Sequence, residues 1–191
     1  NKIVPNYNTD PTKIIYDNLQ GYSISKGASF QMSHNFSIPL NISLGGTYLD
    51  VFSINEDKKN IELFTPSFSG VFSIGYEWPL NKIKLDYTGR IMGPMQLPTY
   101  EEELARDETS PWYTLQHLKV EKRFTSKISA YLGVRNLFNF TQKSPLVDPG
   151  AGSNAATNES WQAGFRPNFD TAYVYGPTRR RRYIIGISWK W

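Results

Sequence analysis

The sequence predicts an all-β chain, an antiparallel transmembrane β-barrel segment of about seven long strands. Three observations predict it. Apolar and polar residues alternate with period two through seven stretches, while helical spacing is confined to Glu101-Glu102-Glu103-Leu104-Ala105-Arg106. The connections between stretches alternate strictly between short and long. Aromatic residues, 15% of 191, gather near the ends of the stretches. No apolar run approaches the ~18 residues of a transmembrane helix, and mean hydropathy is −0.47. A barrel escapes that test because only alternate residues face lipid.

The first stretch, 21–36, puts Tyr22, Ile24, Ala28, Phe30, Met32 and Phe36 on one face and serines, Gln31 and Asn35 on the other. Lys26 violates the apolar face. The second, 40–54, sets Leu40, Ile42, Leu44, Tyr48, Phe52 and Ile54 against Asn41, Ser43, Thr47 and Ser53, with Asp50 breaking the apolar face. The third, 61–78, aligns Phe64, Phe68, Phe72, Ile74, Tyr76 and Trp78, with Pro66 and Gly70 between them. The fourth, 82–95, sets Ile83, Leu85, Tyr87, Ile91 and Met95 against Lys82, Lys84, Asp86, Thr88 and Arg90. The fifth, 112–124, is the weakest, with Leu118, Val120 and Phe124 against His117, Lys119, Glu121 and Arg123. The sixth, 128–138, aligns Ile128, Ala130, Leu132 and Val134. The last, 182–191, is the cleanest: Tyr183, Ile185, Ile187, Trp189 and Trp191 share one face.

These stretches far exceed the usual strand length of about 5–6 residues. A tilted membrane strand needs about 9–11 in lipid and more outside it. Short connections follow the first, third and fifth stretches, and long ones (55–60, 96–111 and 139–181) follow the second, fourth and sixth. Short periplasmic turns and long outer loops are the layout of an outer-membrane barrel, and a soluble sandwich has no reason to sort its loops this way. Phe36, Tyr76, Trp78, Phe124, Trp189 and Trp191 fall at the short-turn ends. Tyr22, Phe52, Phe64, Trp112 and Tyr183 fall towards the long-loop ends. Two interfacial aromatic belts are expected from that placement.

Residues 1–20 are expected to be an outer loop with room for a short strand, because Pro5 and Pro11 interrupt them. Residues 21–191 are then the C-terminal part of a barrel. Single-chain bacterial barrels have an even strand number, so seven strands imply partners outside this sequence. A self-contained eight-stranded outer-membrane barrel, structural or lipid-acting, is the alternative; it needs residues 2–18 as a rising strand paired with 182–191.

The absence of cysteine excludes a disulfide framework, zinc-thiolate and iron–sulfur sites and a cysteine nucleophile. The net charge of +4 is too small to argue nucleic-acid binding. No phosphate loop, H-E-x-x-H or nucleophile elbow occurs, and His34 and His117 have no ligand-spaced partners. No catalytic residue, metal site or cofactor is expected, and the chain is not expected to be an enzyme.

Four stretches together resemble the C-terminal third of a TonB-dependent outer-membrane transporter of the Bacteroidetes type. They are Gly133-Val134-Arg135-Asn136-Leu137-Phe138-Asn139-Phe140; Asp86-Tyr87-Thr88-Gly89 with Gly93-Pro94-Met95-Gln96-Leu97-Pro98; Phe169-Asp170-Thr171-Ala172-Tyr173-Val174-Tyr175-Gly176-Pro177; and the closing strand 183–191. The resemblance implies a 22-stranded barrel filled by an N-terminal plug, with active uptake of a scarce ligand: siderophore-iron, cobalamin, haem, peptide or glycan. It implies as partners the remainder of the barrel and the plug domain, TonB-ExbB-ExbD acting through that plug, the barrel-assembly machinery, and a surface lipoprotein in some members. Outer-membrane lipid and lipopolysaccharide would surround the wall.

The long last loop carries Trp161, Phe165, Arg166, Tyr173 and Tyr175, and Arg180 follows in the run Arg179-Arg180-Arg181-Arg182. Aromatics and arginine are the residue types most enriched at binding hot spots, so these six are the ligand-binding candidates. The arginine run also suits a solvated rim that meets anionic lipopolysaccharide groups or pairs with Glu101, Glu102, Glu103, Asp107 and Glu108. Tyr183, Ile185, Ile187, Trp189 and Trp191 are the candidate assembly signal.

Overall fold

A computed structural model describes residues 3–6, 15–55, 58–99, 107–142 and 174–190. Its strands are β1 (Ile3–Asn6), β2 (Ile15–Asn18), β3 (Gly21–Asn35), β4 (Leu40–Asn55), β5 (Lys58–Ile61), β6 (Phe68–Trp78), β7 (Ile83–Met92), β8 (Tyr113–Arg123), β9 (Ile128–Arg135) and β10 (Arg182–Trp189). An antiparallel sheet runs β10-β9-β8-β7-β6-β4-β3, with β5 also on β4, while among the described residues β1 and β2 pair only with each other. All seven expected strands are present, each joined to the next in sequence. The helix-spaced run 101–106 lies outside the described residues.

The register shows how the wall is built. Ser33, Ser43, Ser73, Thr88, His117, Arg135 and Arg182 form one row across all seven strands. That row lies near the short-turn end of β3 and reaches the loop end of β10, so the strands are staggered as a tilted barrel wall requires. Ser33 Oγ and Ser43 Oγ are 2.8 Å apart, which places their side chains together on the polar face. On the other face Met32, Leu44 and Phe72 lie side by side.

Among the described residues the sheet has almost no core of its own. Among the described residues only Met95, Leu97 and Tyr113 are buried apolar side chains, and all three are at the loop end. Phe30, Ile185 and Ile187 are 63%, 77% and 77% exposed. A continuous apolar face without protein cover is what lipid solvates. Its glycines are filled from the neighbouring strand: the Phe72 ring lies over Gly89, where an added Cβ would collide with it, and packs 5.3 Å from the Tyr87 ring. Gly89→Ala must evict that ring and is expected to cost about 1–3 kcal/mol. Gly133→Ala, whose methyl meets nothing nearer than 3.8 Å, should stay within about 0.5 kcal/mol. Denaturant titration of the complete folded protein in lipid compares the two.

The two exceptions on the apolar face answer each other. Lys26 stands directly opposite Asp50 in the register, and Lys26 Nζ lies 3.2 Å from the Asp50 carboxylate. A cross-strand pair of opposite charge costs less beside lipid than either charge alone.

Three details differ from expectation. The third stretch pairs as one strand only from Phe68: β5, which ends at Ile61, and β6 use the same edge of β4, and residues 62–67 bulge between them. Pro66 has no N–H for a ladder, and Phe64 adopts φ 56, so the ladder breaks there. Part of the expected loop 55–60 is therefore strand. Residues 1–20 hold two short strands rather than one at most. Pro5 is tolerated opposite Tyr16 because a two-stranded ribbon leaves each strand a free edge. Among the described residues the eight-stranded closure does not form: residues 3–6 pair with 15–18 and not with 182–189.

Candidate functional site

The polar face changes character along its height. Towards the short turns its charges are paired: Lys84 with Asp86 at 3.1 Å, Lys119 with Glu121 at 2.7 Å, and Arg123 with Glu77 at 3.6 Å. Asp86 and Lys119 also face each other across β7 and β8. Towards the long loops the balance is lost. Thr88, His117, Arg135, Arg179, Arg180 and Arg182 converge on a half-open recess of about 520 Å³, and no carboxylate lines it among the described residues. Cationic guanidiniums gathered on a concave wall raise the local concentration of anions and offer forked donors to carboxylate, phosphate or catecholate oxygens.

Strand pairing brings these arginines together. Arg135 ends β9 and Arg182 opens β10, directly opposite. Arg179 and Arg180 enter from the loop base, which is fixed by side-chain amides. Asn136 is buried, 7% exposed, and takes φ 55, a left-handed conformation to which asparagine is suited. Its Nδ2 donates to the Phe140 carbonyl at 2.7 Å and the Arg179 carbonyl at 3.3 Å. Its Oδ1 accepts the Phe140 N–H at 2.9 Å, and its own N–H donates to His117 Nδ1 at 3.1 Å. Gln142, 4% exposed, accepts the N–H groups of Tyr175 and Gly176 at 2.8 and 2.9 Å on Oε1. Asn139 Oδ1 accepts the Arg181 N–H at 2.8 Å. These bonds tie 136–142 to 175–181, so the two ends of the last long loop leave the wall from one closed base.

Of the ligand-binding candidates, Arg180 lines the recess. Tyr175 belongs to the loop base: its carbonyl accepts the Tyr113 hydroxyl at 3.0 Å and its ring sits 6.3 Å from that of Tyr113. Burial, then the nearby negative charge of Asp107, hold the Tyr175 phenol above its usual pKa. Trp161, Phe165, Arg166 and Tyr173 lie outside the described residues, as does Trp191 of the assembly signal. Tyr183, Ile185, Ile187 and Trp189 share one exposed face of β10. The sequence reading missed Arg135, Asn136 and Gln142 as parts of this site, although Asn136 lies in the Asn-Leu-Phe-Asn stretch it singled out.

By sequence, no family model and no curated protein matches the chain. By structure, it superposes on the pyoverdine outer membrane receptor FpvA from Pseudomonas aeruginosa PAO1 with a TM-score of 0.63 at 18% identity, covering 100% of this chain and 25% of that one. The ferric-catecholate import receptor Fiu from E. coli K12 gives 0.56 at 14% identity, over 91% and 22%. The copper transporter OprC gives 0.56 at 14% identity, over 87% and 23%. These neighbours are TonB-dependent outer-membrane receptors.

The fold is that of a TonB-dependent receptor's barrel wall. The chain spans about a quarter of the length of the receptors it matches. Identities this low make the likeness one of fold.

Proposed function

We propose that this chain is the C-terminal part of the barrel of a TonB-dependent outer-membrane receptor of the Bacteroidetes type. It contributes lipid-facing wall, lumen lining and outer loops to active uptake, and it performs no reaction. The observation that carries the reading is a membrane-length antiparallel sheet with an uncovered apolar face and, among the described residues, no strand on the outer edge of β3 or of β10. In lipid every unsatisfied backbone group costs several kcal/mol, so both edges need partner strands. Those strands and a plug belong to the rest of the barrel. TonB-ExbB-ExbD acts through the plug, and the aromatic-ended β10 is the strand read by the assembly machinery.

The arginine recess favours an anionic ligand. Among the neighbours, FpvA is bound to pyoverdine and Fiu imports ferric catecholates, and an anionic ferric chelate fits the recess here. Each charge-assisted hydrogen bond lost is worth about 1.5–3 kcal/mol, so Arg135→Ala with Arg182→Ala is expected to weaken binding of a ferric catecholate to the complete receptor by at least about a hundredfold. The variant should also flatten the salt dependence of binding. Unchanged affinity in a folded variant would remove the recess from the ligand path.

A further inference from the structure

We propose that Lys26 and Lys59 form a binding site, on the outer wall, for the phosphate of an outer-leaflet lipid headgroup. The site rests on the barrel reading and not on the identity of the transported ligand. Lys26, Asp50, Phe52 and Lys59 all lie on the lipid-facing register of β3, β4 and β5. Lys59 Nζ sits 4.2 Å from the Phe52 ring centroid and Lys26 Nζ sits 5.7 Å from it. One ring therefore carries two ammonium groups from opposite sides of β4. Asp50 holds Lys26 at 3.2 Å, while the Lys26 side chain stays 66% exposed. An ammonium with one carboxylate partner keeps donors free for a second acceptor.

Height decides which anion meets them. Lys26 is nine residues above Asn35 at the short-turn end of β3, which is about 30 Å along a strand. A strand tilted by about 40° climbs about 23 Å over that distance, close to the height of the apolar band of an outer-membrane barrel, about 25 Å. Phe30 and Met32, 63% and 61% exposed, fill the face below. The two lysines thus stand where the acyl chains end and the phosphorylated sugar headgroups of the outer leaflet begin. The arginine recess cannot serve this purpose, because it opens on the opposite face of the sheet.

The test uses the complete receptor in lipid nanodiscs and native mass spectrometry to count retained lipid, with bisphosphorylated and dephosphorylated lipid A as probes. The native protein should retain the bisphosphorylated form at least fivefold better than the dephosphorylated one. Lys26→Ala with Lys59→Ala should remove that preference, Lys26→Arg with Lys59→Arg should keep it, and Lys127→Ala at a short turn should leave it unchanged. Should the double alanine variant not fold, Lys59→Ala alone should still lower retention at least twofold. Heat-modifiable migration of the same samples separates the two levels. Loss of the folded form in native protein counts against the barrel. A folded double alanine variant with undiminished preference, or equal retention of both lipids by native protein, overturns the site alone.

Discussion

Phe72→Arg is expected to remove most of the folded protein from the membrane, while Ser73→Arg leaves it near the native level. The two residues are adjacent in mid-β6 but face opposite solvents. Phe72 lies beside Leu44 on the apolar face and covers Gly89. Ser73 lies beside Ser43 and Thr88 on the polar face. An arginine at the lipid midplane costs about 2–4 kcal/mol, and a lumen position accepts it far more readily. Removing the ring also uncovers Gly89, so the cost at Phe72 lies at the upper end. The heat-modifiable folded fraction in isolated outer membranes reads both variants. Equal losses, or the reverse order, would show that the two faces are assigned the wrong way round.

Asn136→Ala should loosen the last loop's base without unfolding the wall. Three hydrogen bonds made by its side chain disappear, and the Phe140 N–H loses its acceptor. At roughly 1 kcal/mol for each bond, with a further penalty for a partly buried orphan, the cost is about 3–4 kcal/mol. An alanine at φ 55 adds strain that asparagine largely avoids. Hydrogen exchange should accelerate by about a hundredfold or more over 137–142 and 174–181, while β6 and β7 exchange as before. Because Arg179 and Arg180 hang from this base, affinity for an anionic ligand should fall with it. Unaltered exchange at 174–181 would mean that the loop is held from elsewhere.

The strands were legible because lipid on one side and a wet lumen on the other write a strict alternation into each of them. The bulge at 62–67 was hidden because Phe64 and Phe68 are an even number of positions apart, so the apparent alternation runs on although these six residues oppose only three of β4; Pro66 was the only local sign. Lys26 and Asp50 looked like two separate faults. Once the turn after β3 sets Asn35 opposite Asn41, they fall opposite each other, so the pairing was recoverable from the turn. The arginine run was visible, but its direction was not. Only the register places Arg182 beside Arg135 and turns the charge inward. The hold of Gln142 on Tyr175 spans more than thirty residues, and no period or motif announces a bond of that reach.

The most direct measurement is a cryo-electron microscopy map of the particle extracted from the outer membrane that carries this chain, read at the free edges of β3 and β10. Each edge is expected to be hydrogen-bonded antiparallel to a strand from outside residues 1–191, within one closed 22-stranded barrel around a plug. A map in which β10 pairs with β3 or with the hairpin of β1 and β2, closing a small barrel from this chain alone, would contradict it.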